Sequence, residues 1–236
     1  MMPGKKYKNV VKELDLVGKE YLIDEALDLV PKLKTAKFNE TVELHFSLGV
    51  DPKKSEQNIR GMVSLPAGTG KEVRVMVFAK GDMIQVAKDA GADYIGDEEN
   101  VAKIKTGWFD FDVCIATPDM MGVVGQLGRL LGPRGLMPNP KLGTVTNDID
   151  KTIKEMKSGR VEYRVDKFAN VHVPVGKADF TKDDLRKNIY ALTNAIVKAR
   201  PSSAKGQYMK SCYIALTMSP SLKLNVTNLV RSAAGT

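Results

Sequence analysis

The chain has 236 residues, 43% of them apolar, and a formal net charge of +8. That length suits two domains, the apolar share excludes a disordered chain, and the lack of any run of about 18 apolar residues excludes a membrane-spanning helix. The basic excess favours partners that carry phosphate. Residues 1–10 are basic but lead into Lys12, Glu13 and Asp15 rather than an apolar secretory core, so the expected location is the cytoplasm.

Apolar residues at helical spacing predict a helix over 22–33, with Asp24 and Glu25 placed to suit its dipole. Over 42–50, Val42, Leu44, Phe46, Leu48 and Val50 alternate with polar or small residues, the period of a half-buried strand. A second strand is expected at 60–65, before a glycine-rich break at 66–70. The texture then changes. Residues 73–79 form a nearly continuous apolar run typical of a strand covered on both faces. A helix (82–90), a short strand (93–96), a helix (98–105), a buried strand (111–117) and a helix (119–131) follow. The alternation implies right-handed crossovers and a small, largely parallel sheet. A helix at 148–157 precedes Ser158-Gly159, after which alternation returns in Val161, Tyr163 and Val165 and in Val171, Val173 and Val175. A long helix (182–198) and strands at 208–216 and 222–226 complete the set.

The two ends resemble each other and differ from the middle. The expected organisation is therefore a discontinuous domain of residues 1–66 and 160–236, with a domain of residues 67–159 inserted at glycine-rich hinges. Residues 67–159 hold 12 Lys and Arg against 13 Asp and Glu, net −1, and the remainder holds 24 against 15, net +9. The main attraction for RNA phosphates should therefore come from the split domain.

Motifs for small-molecule chemistry fail on inspection. Gly68-Thr69-Gly70-Lys71 has the wrong spacing for a phosphate-binding loop, with Glu72 where a Ser or Thr should hold magnesium and a strand where a helix should follow. Gly125, Gly128 and Gly132 lack the dinucleotide spacing and read as close helix packing and a helix stop. Cys114 and Cys212 lie far apart in strand-like segments, so no disulfide is expected, and His45 and His172 read as isolated strand residues, so neither a metal site nor a catalytic pair is expected. Asp110 and Asp112 around Phe111 read as the start of a strand. Lys34-Thr35-Ala36-Lys37-Phe38 has the mixed basic and aromatic character of RNA-facing segments, although Phe38 reads equally well as a core residue. Thr217-Met218-Ser219-Pro220 reads as a polar turn ending a strand, and Asp166-Lys167 as a hairpin turn.

Three segments taken together, 35–43 (TAKFNETVE), 131–141 (LGPRGLMPNPK) and 217–220 (TMSP), closely resemble the L-one family of large-ribosomal-subunit proteins, over about residues 5–226. The resemblance implies a split α+β domain that binds large-subunit ribosomal RNA and an inserted Rossmann-like, three-layer α/β domain. It further implies a mobile stalk beside the tRNA exit site, help in releasing deacylated tRNA, repression through the protein's own mRNA leader, no cofactor, and a monomer outside the ribosome. RNA-facing positions implied here are Lys37, Phe38, Thr41, Asp166, Lys167, His172, Ser211, Thr217, Met218 and Ser219. Arg134, Asn139 and Lys141 belong to a loop that either faces tRNA or fixes a long connection. The family commonly has glycine where this chain has Ser219, so close approach of backbone to RNA is loosened there or replaced by a hydroxyl contact. Thr217→Ala is expected to weaken binding strongly with little loss of stability. The rivals are a nucleotide- or phosphate-binding enzyme using the inserted domain, and a free RNA chaperone or regulator.

Overall fold

The computed structural model describes residues 4–14, 16 and 18–235. Met1 and Asp15, used above against a secretory leader, lie outside the described residues. The elements run α1 (Lys5–Glu13), β1 (Glu20–Tyr21), α2 (Ile23–Leu33), β2 (Thr41–Leu48), β3 (Arg60–Ser64), β4 (Val75–Phe78), α3 (Met83–Asp89), β5 (Tyr94–Ile95), α4 (Glu98–Lys105), β6 (Val113–Ala116), α5 (Met121–Gln126), α6 (Gly128–Leu131), α7 (Ile149–Lys157), β7 (Arg160–Arg164), β8 (Asn170–Lys177), α8 (Lys182–Lys198), β9 (Met209–Leu216), β10 (Leu222–Leu224) and α9 (Val226–Ala234). They are grouped in two compact units, one formed by 1–70 with 161–236 and the other by 71–160.

In the split unit a five-stranded sheet has the order β1-β10-β9-β2-β8, antiparallel except for the parallel β1–β10 pair. Alternation along β2 buries Val42, Leu44, Phe46 and Leu48, and the matching residues Val171, Val173 and Val175 of β8 and Cys212, Ile214 and Leu216 of β9 join them. Leu27 and Val30 of α2, Leu185, Ile189, Leu192 and Ile196 of α8, and Leu229 of α9 belong to the same core. Each such side chain contributes about 1.5–3 kcal/mol on burial, which fixes the register and leaves the other sheet face uncovered by this core. β3 and β7 form a separate two-stranded sheet. Buried Asn188 of α8 ties down the chain just before it leaves the unit: its carbonyl oxygen accepts the Ala67 N–H and its amide donates to the carbonyls of Gly68 and Val175.

The inserted unit is built on a parallel sheet of order β5-β4-β6, with Val75, Met76, Val77 and Phe78 of the central strand all fully buried. The expectation of one helix over 119–131 needs correction. A 3-10 turn at Pro118–Met120 precedes α5, and α5 and α6 are separated at Leu127. Gly122, Gly125 and Gly128 weaken helix propensity in this stretch. Close packing at Gly125 is also corrected, because a side chain there would meet nothing within 4 Å, whereas one at Gly132 would strike the Gly128 carbonyl. At the C-terminus the strand expected over 222–226 stops at Leu224. Asn225 caps α9 instead, its side chain accepting the Asn228 N–H. The sequence reading assigns no element to the segments that form α1 and β1, or to α9 beyond Val226.

Candidate nucleic-acid interface

The uncovered face of the split unit is organised in rows across three strands. Asn170, Ser47 and Ser211 are in register, as are His172, His45 and Tyr213, then Pro174, Glu43 and Ala215. From Thr41 to Ser47 this face runs roughly 20 Å at ~3.4 Å per residue. The ten positions implied by resemblance fall in two groups at its ends, with Lys37, Phe38, Thr41, Thr217, Met218 and Ser219 at one and Asp166, Lys167, His172 and Ser211 towards the other. They form a face rather than a point.

The first group is organised by a residue the sequence reading does not single out. Glu40 is fully buried at the foot of β2. One carboxylate oxygen accepts the N–H groups of Thr35 (3.0 Å) and Ala36 (2.9 Å), and the other accepts the Met218 N–H (2.9 Å) and the Ser219 hydroxyl (3.2 Å). Burial raises its pKa, but the backbone donors Ala36, Met218 and Thr35 and the Ser219 hydroxyl outweigh that and hold it below the ordinary carboxylate value. Thr35 Oγ1 also donates to the Met218 carbonyl at 3.1 Å. Two loops distant in sequence are thereby locked together with their apolar tips outward. Phe38 is 53% exposed and Met218 60%. The core reading of Phe38 is therefore wrong, because the neighbouring Glu40 takes the interior position. Ser219 replaces the small residue anticipated there with a hydroxyl that is spent inside the protein on Glu40.

Thr217 also has an internal task, its oxygen accepting the Thr41 N–H at 3.1 Å, while Thr41 Oγ1 accepts from Lys177 Nζ at 2.8 Å. The expectation that Thr217→Ala leaves stability nearly untouched is corrected: one backbone hydrogen bond is lost, worth about 1 kcal/mol.

At the other end Asp166 holds the β7–β8 turn and lies 3.8 Å from His172 Nε2. The two histidines are not isolated. Their Nδ1 atoms lie 2.8 Å apart across β2 and β8, so one ring donates to the other. Burial lowers the pKa of His45, the His172 ring lowers it further, and Glu43 at 3.9 Å opposes both. Among the described residues no three His, Cys, Asp or Glu side chains are placed to hold a metal ion. Both cysteines are buried as free thiols, with pKa values pushed up by burial.

In the inserted unit, Lys71 of the glycine-rich segment pairs with Asp112 at 2.6 Å, and Arg74 pairs with the same carboxylate at 3.2 Å. Asp112 thus serves cation pairing at the start of β6, which holds its pKa down against burial. In the 132–141 loop the Arg134 guanidinium lies 3.9 Å from the Phe109 ring centroid, Asn139 accepts the Lys141 N–H and donates its own N–H to Thr144 Oγ1, and the Lys141 side chain is exposed.

The unit of residues 71–160 carries 13 basic and 13 acidic residues, and the split unit 23 against 15. A basic unit with an open, polar sheet face and outward Phe38 and Met218 has the character of an RNA-binding surface. Residues 30–220 match the family model described as the Ribosomal protein L1p/L10e family. The chain thus belongs to the ribosomal protein L1p/L10e family, as an rRNA-binding constituent of the large ribosomal subunit and not an enzyme.

Proposed function

We propose that the split unit carries the rRNA contact and that the corner around Glu40 is its centre, with the protein forming a mobile stalk that helps release deacylated tRNA from the exit site. The observation that carries this reading is the buried carboxylate joining the 35–40 loop to the 217–219 turn, since it sets Lys37, Phe38, Thr217 and Met218 side by side facing solvent on the basic unit. Thr217 and Ser211 hydroxyls bond ribose or phosphate oxygens, Phe38 and Met218 pack on the RNA surface, and Lys37 and Lys167 supply charge. His172 and Asp166 flank the far end of the same face. Ser219 acts through Glu40, and Thr41 through Thr217.

Binding of a large-subunit rRNA transcript by wild type, Thr217→Ala and Thr217→Ser tests the assignment. Loss of one such contact should lower affinity about tenfold in the alanine variant, with the serine variant close to wild type. Equal affinity for all three would remove Thr217 from the interface.

The tRNA role rests on the resemblance of the 131–141 loop, with Arg134 and Lys141 as its cationic residues. It is tested by the rate of deacylated-tRNA release from ribosomes carrying Arg134→Ala with Lys141→Ala. Repression through the protein's own mRNA leader would use the same face as rRNA. A reporter fused to that leader should be repressed by wild type and not by Thr217→Ala.

A further inference from the structure

Among the large apolar side chains that remain exposed, Phe168 stands apart at 82% exposure, ahead of Met218 and Phe38. It sits in the turn between β7 and β8, and that turn is closely held. The Asp166 carboxylate accepts the N–H groups of Phe168 (2.8 Å) and Asn170 (2.7 Å), and the Asp166 N–H donates to the Asn170 carbonyl at 2.7 Å. Ala169 has φ of +65°, a conformation that alanine adopts at a cost, and its carbonyl accepts the Leu48 N–H at 2.9 Å. An aromatic ring is therefore held out in water by a backbone fixed on both sides.

Its surroundings indicate the partner. Lys167 precedes it and is exposed, and has no ion-pair partner among the described residues. Beside the turn a hollow of about 450 Å³ is lined by Pro52, Asn58, Arg164, Val165, Asp166 and Lys167. The polar row Asn170, Ser47 and Ser211 begins at the same end of the sheet. A flat apolar ring beside two cations, on the unit with the basic excess, matches an unpaired nucleotide: the base offers a π face and its phosphate a negative charge. A purely apolar partner would leave the charges of Arg164 and Lys167 unmatched, whereas a phosphate pairs with them.

We infer that Phe168 is a stacking platform for an unpaired base of the bound RNA, with Arg164 and Lys167 holding the adjoining phosphate, so that recognition includes base stacking as well as RNA shape. This rests on the reading of the split unit as the rRNA-binding unit. Because the ring is exposed, substitution there leaves the fold intact.

The test compares full-length wild type, Phe168→Ala, Phe168→Trp and Thr217→Ala for binding to a large-subunit rRNA transcript at several salt concentrations. Stacking on one base predicts about ten- to a hundredfold weaker binding for Phe168→Ala, with an unchanged slope of log affinity against log salt because no charge is lost. Phe168→Trp should retain affinity, and its added indole emission should be quenched on RNA binding relative to wild type, which has only Trp108. Wild-type affinity of Phe168→Ala, or an added indole emission unmoved at saturating transcript, would overturn the stacking role. If Thr217→Ala still loses affinity in that case, the rRNA-binding face stands without Phe168. If wild type itself fails to bind, the reading of the face fails too. Capture of Phe168 by a ribosomal protein, seen as a response of the introduced indole in large subunits but none on naked transcript, also overturns it.

Discussion

The split and inserted units differ in their charge balance and in how many of their cations are paired. In the inserted unit Lys71 and Arg74 pair with Asp112, Lys103 with Glu99, Lys154 with Asp150, Lys157 with Asp93 and Arg160 with Glu155, while Arg134 lies over Phe109. Six of its 13 cations are thus held in ion pairs, and its net charge is zero. In the split unit Lys37, Lys167, Lys205 and Lys210 have no ion-pair partner among the described residues, and the unit keeps the whole net charge of +8. A parallel sheet with glycine-rich loops beside it suggests nucleotide chemistry, yet the lysine that would meet a phosphate is held by a carboxylate. An open antiparallel face is the surface that suits a polyanion.

The largest effect that tests this contrast is expected at Glu40. Glu40→Ala leaves the N–H groups of Thr35, Ala36 and Met218 without their acceptor. At about 1–3 kcal/mol for each unsatisfied donor, the loss should reach about 3 kcal/mol or more unless water enters. Urea denaturation measures it, and an unchanged midpoint would mean that the corner is not held by this carboxylate. The pH dependence has a definite sign. A carboxylate whose folded pKa lies below its unfolded value adds stability above about pH 4.3, and this is lost as pH falls through the folded value. Glu40→Gln should flatten that acid limb.

An intermediate effect is expected from the lysines. Lys37→Ala should reduce the slope of log affinity for rRNA against log salt by about 1, whereas Lys154→Ala, removing a cation of the inserted unit already paired with Asp150, should leave it unchanged. Equal slopes for the two variants would erase the distinction between the units. The smallest effect is expected at the histidine pair. His45 has a lowered folded pKa, so folding stability should begin to fall below about pH 6.5 and continue to fall until the folded value is passed. His172→Asn removes the imidazole that faces it and should reduce this loss. A pH profile identical to wild type would show that the pair does not share a proton.

What the sequence discloses depends on whether a feature is local. β2 is readable because Val42 to Leu48 alternate, and α8 because its apolar period runs unbroken for 17 residues between a Thr181 cap and Pro201. α9 is within reach: Val226, Leu229, Val230 and Ala233 have helical spacing behind Asn225, but the apolar alternation before that cap extends the apparent strand past it. α1 has no buried residue and so leaves little apolar pattern. The proposed interface is legible as residue types and not as a mechanism. Lys37, Phe38, Thr217 and Met218 stand out, yet Glu40 gains its meaning only when β2 and the end of β9 meet, and the His45–His172 contact exists only once strand register is fixed. Phe168 has a visible signal, an aromatic residue in a turn that also holds Asp and Lys, but such a turn reads first for its backbone.

The most direct test is rRNA affinity after removal of residues 71–160, with Gly70 joined to Val161 by a short glycine linker. The split unit has its own core and sheet, and its folding is checked by circular dichroism. The expected result is a folded chain that binds the rRNA transcript with the affinity of the intact protein, while residues 71–160 alone do not bind. Affinity that is lost with the inserted unit, or that travels with it, would contradict the assignment of rRNA binding to the split unit.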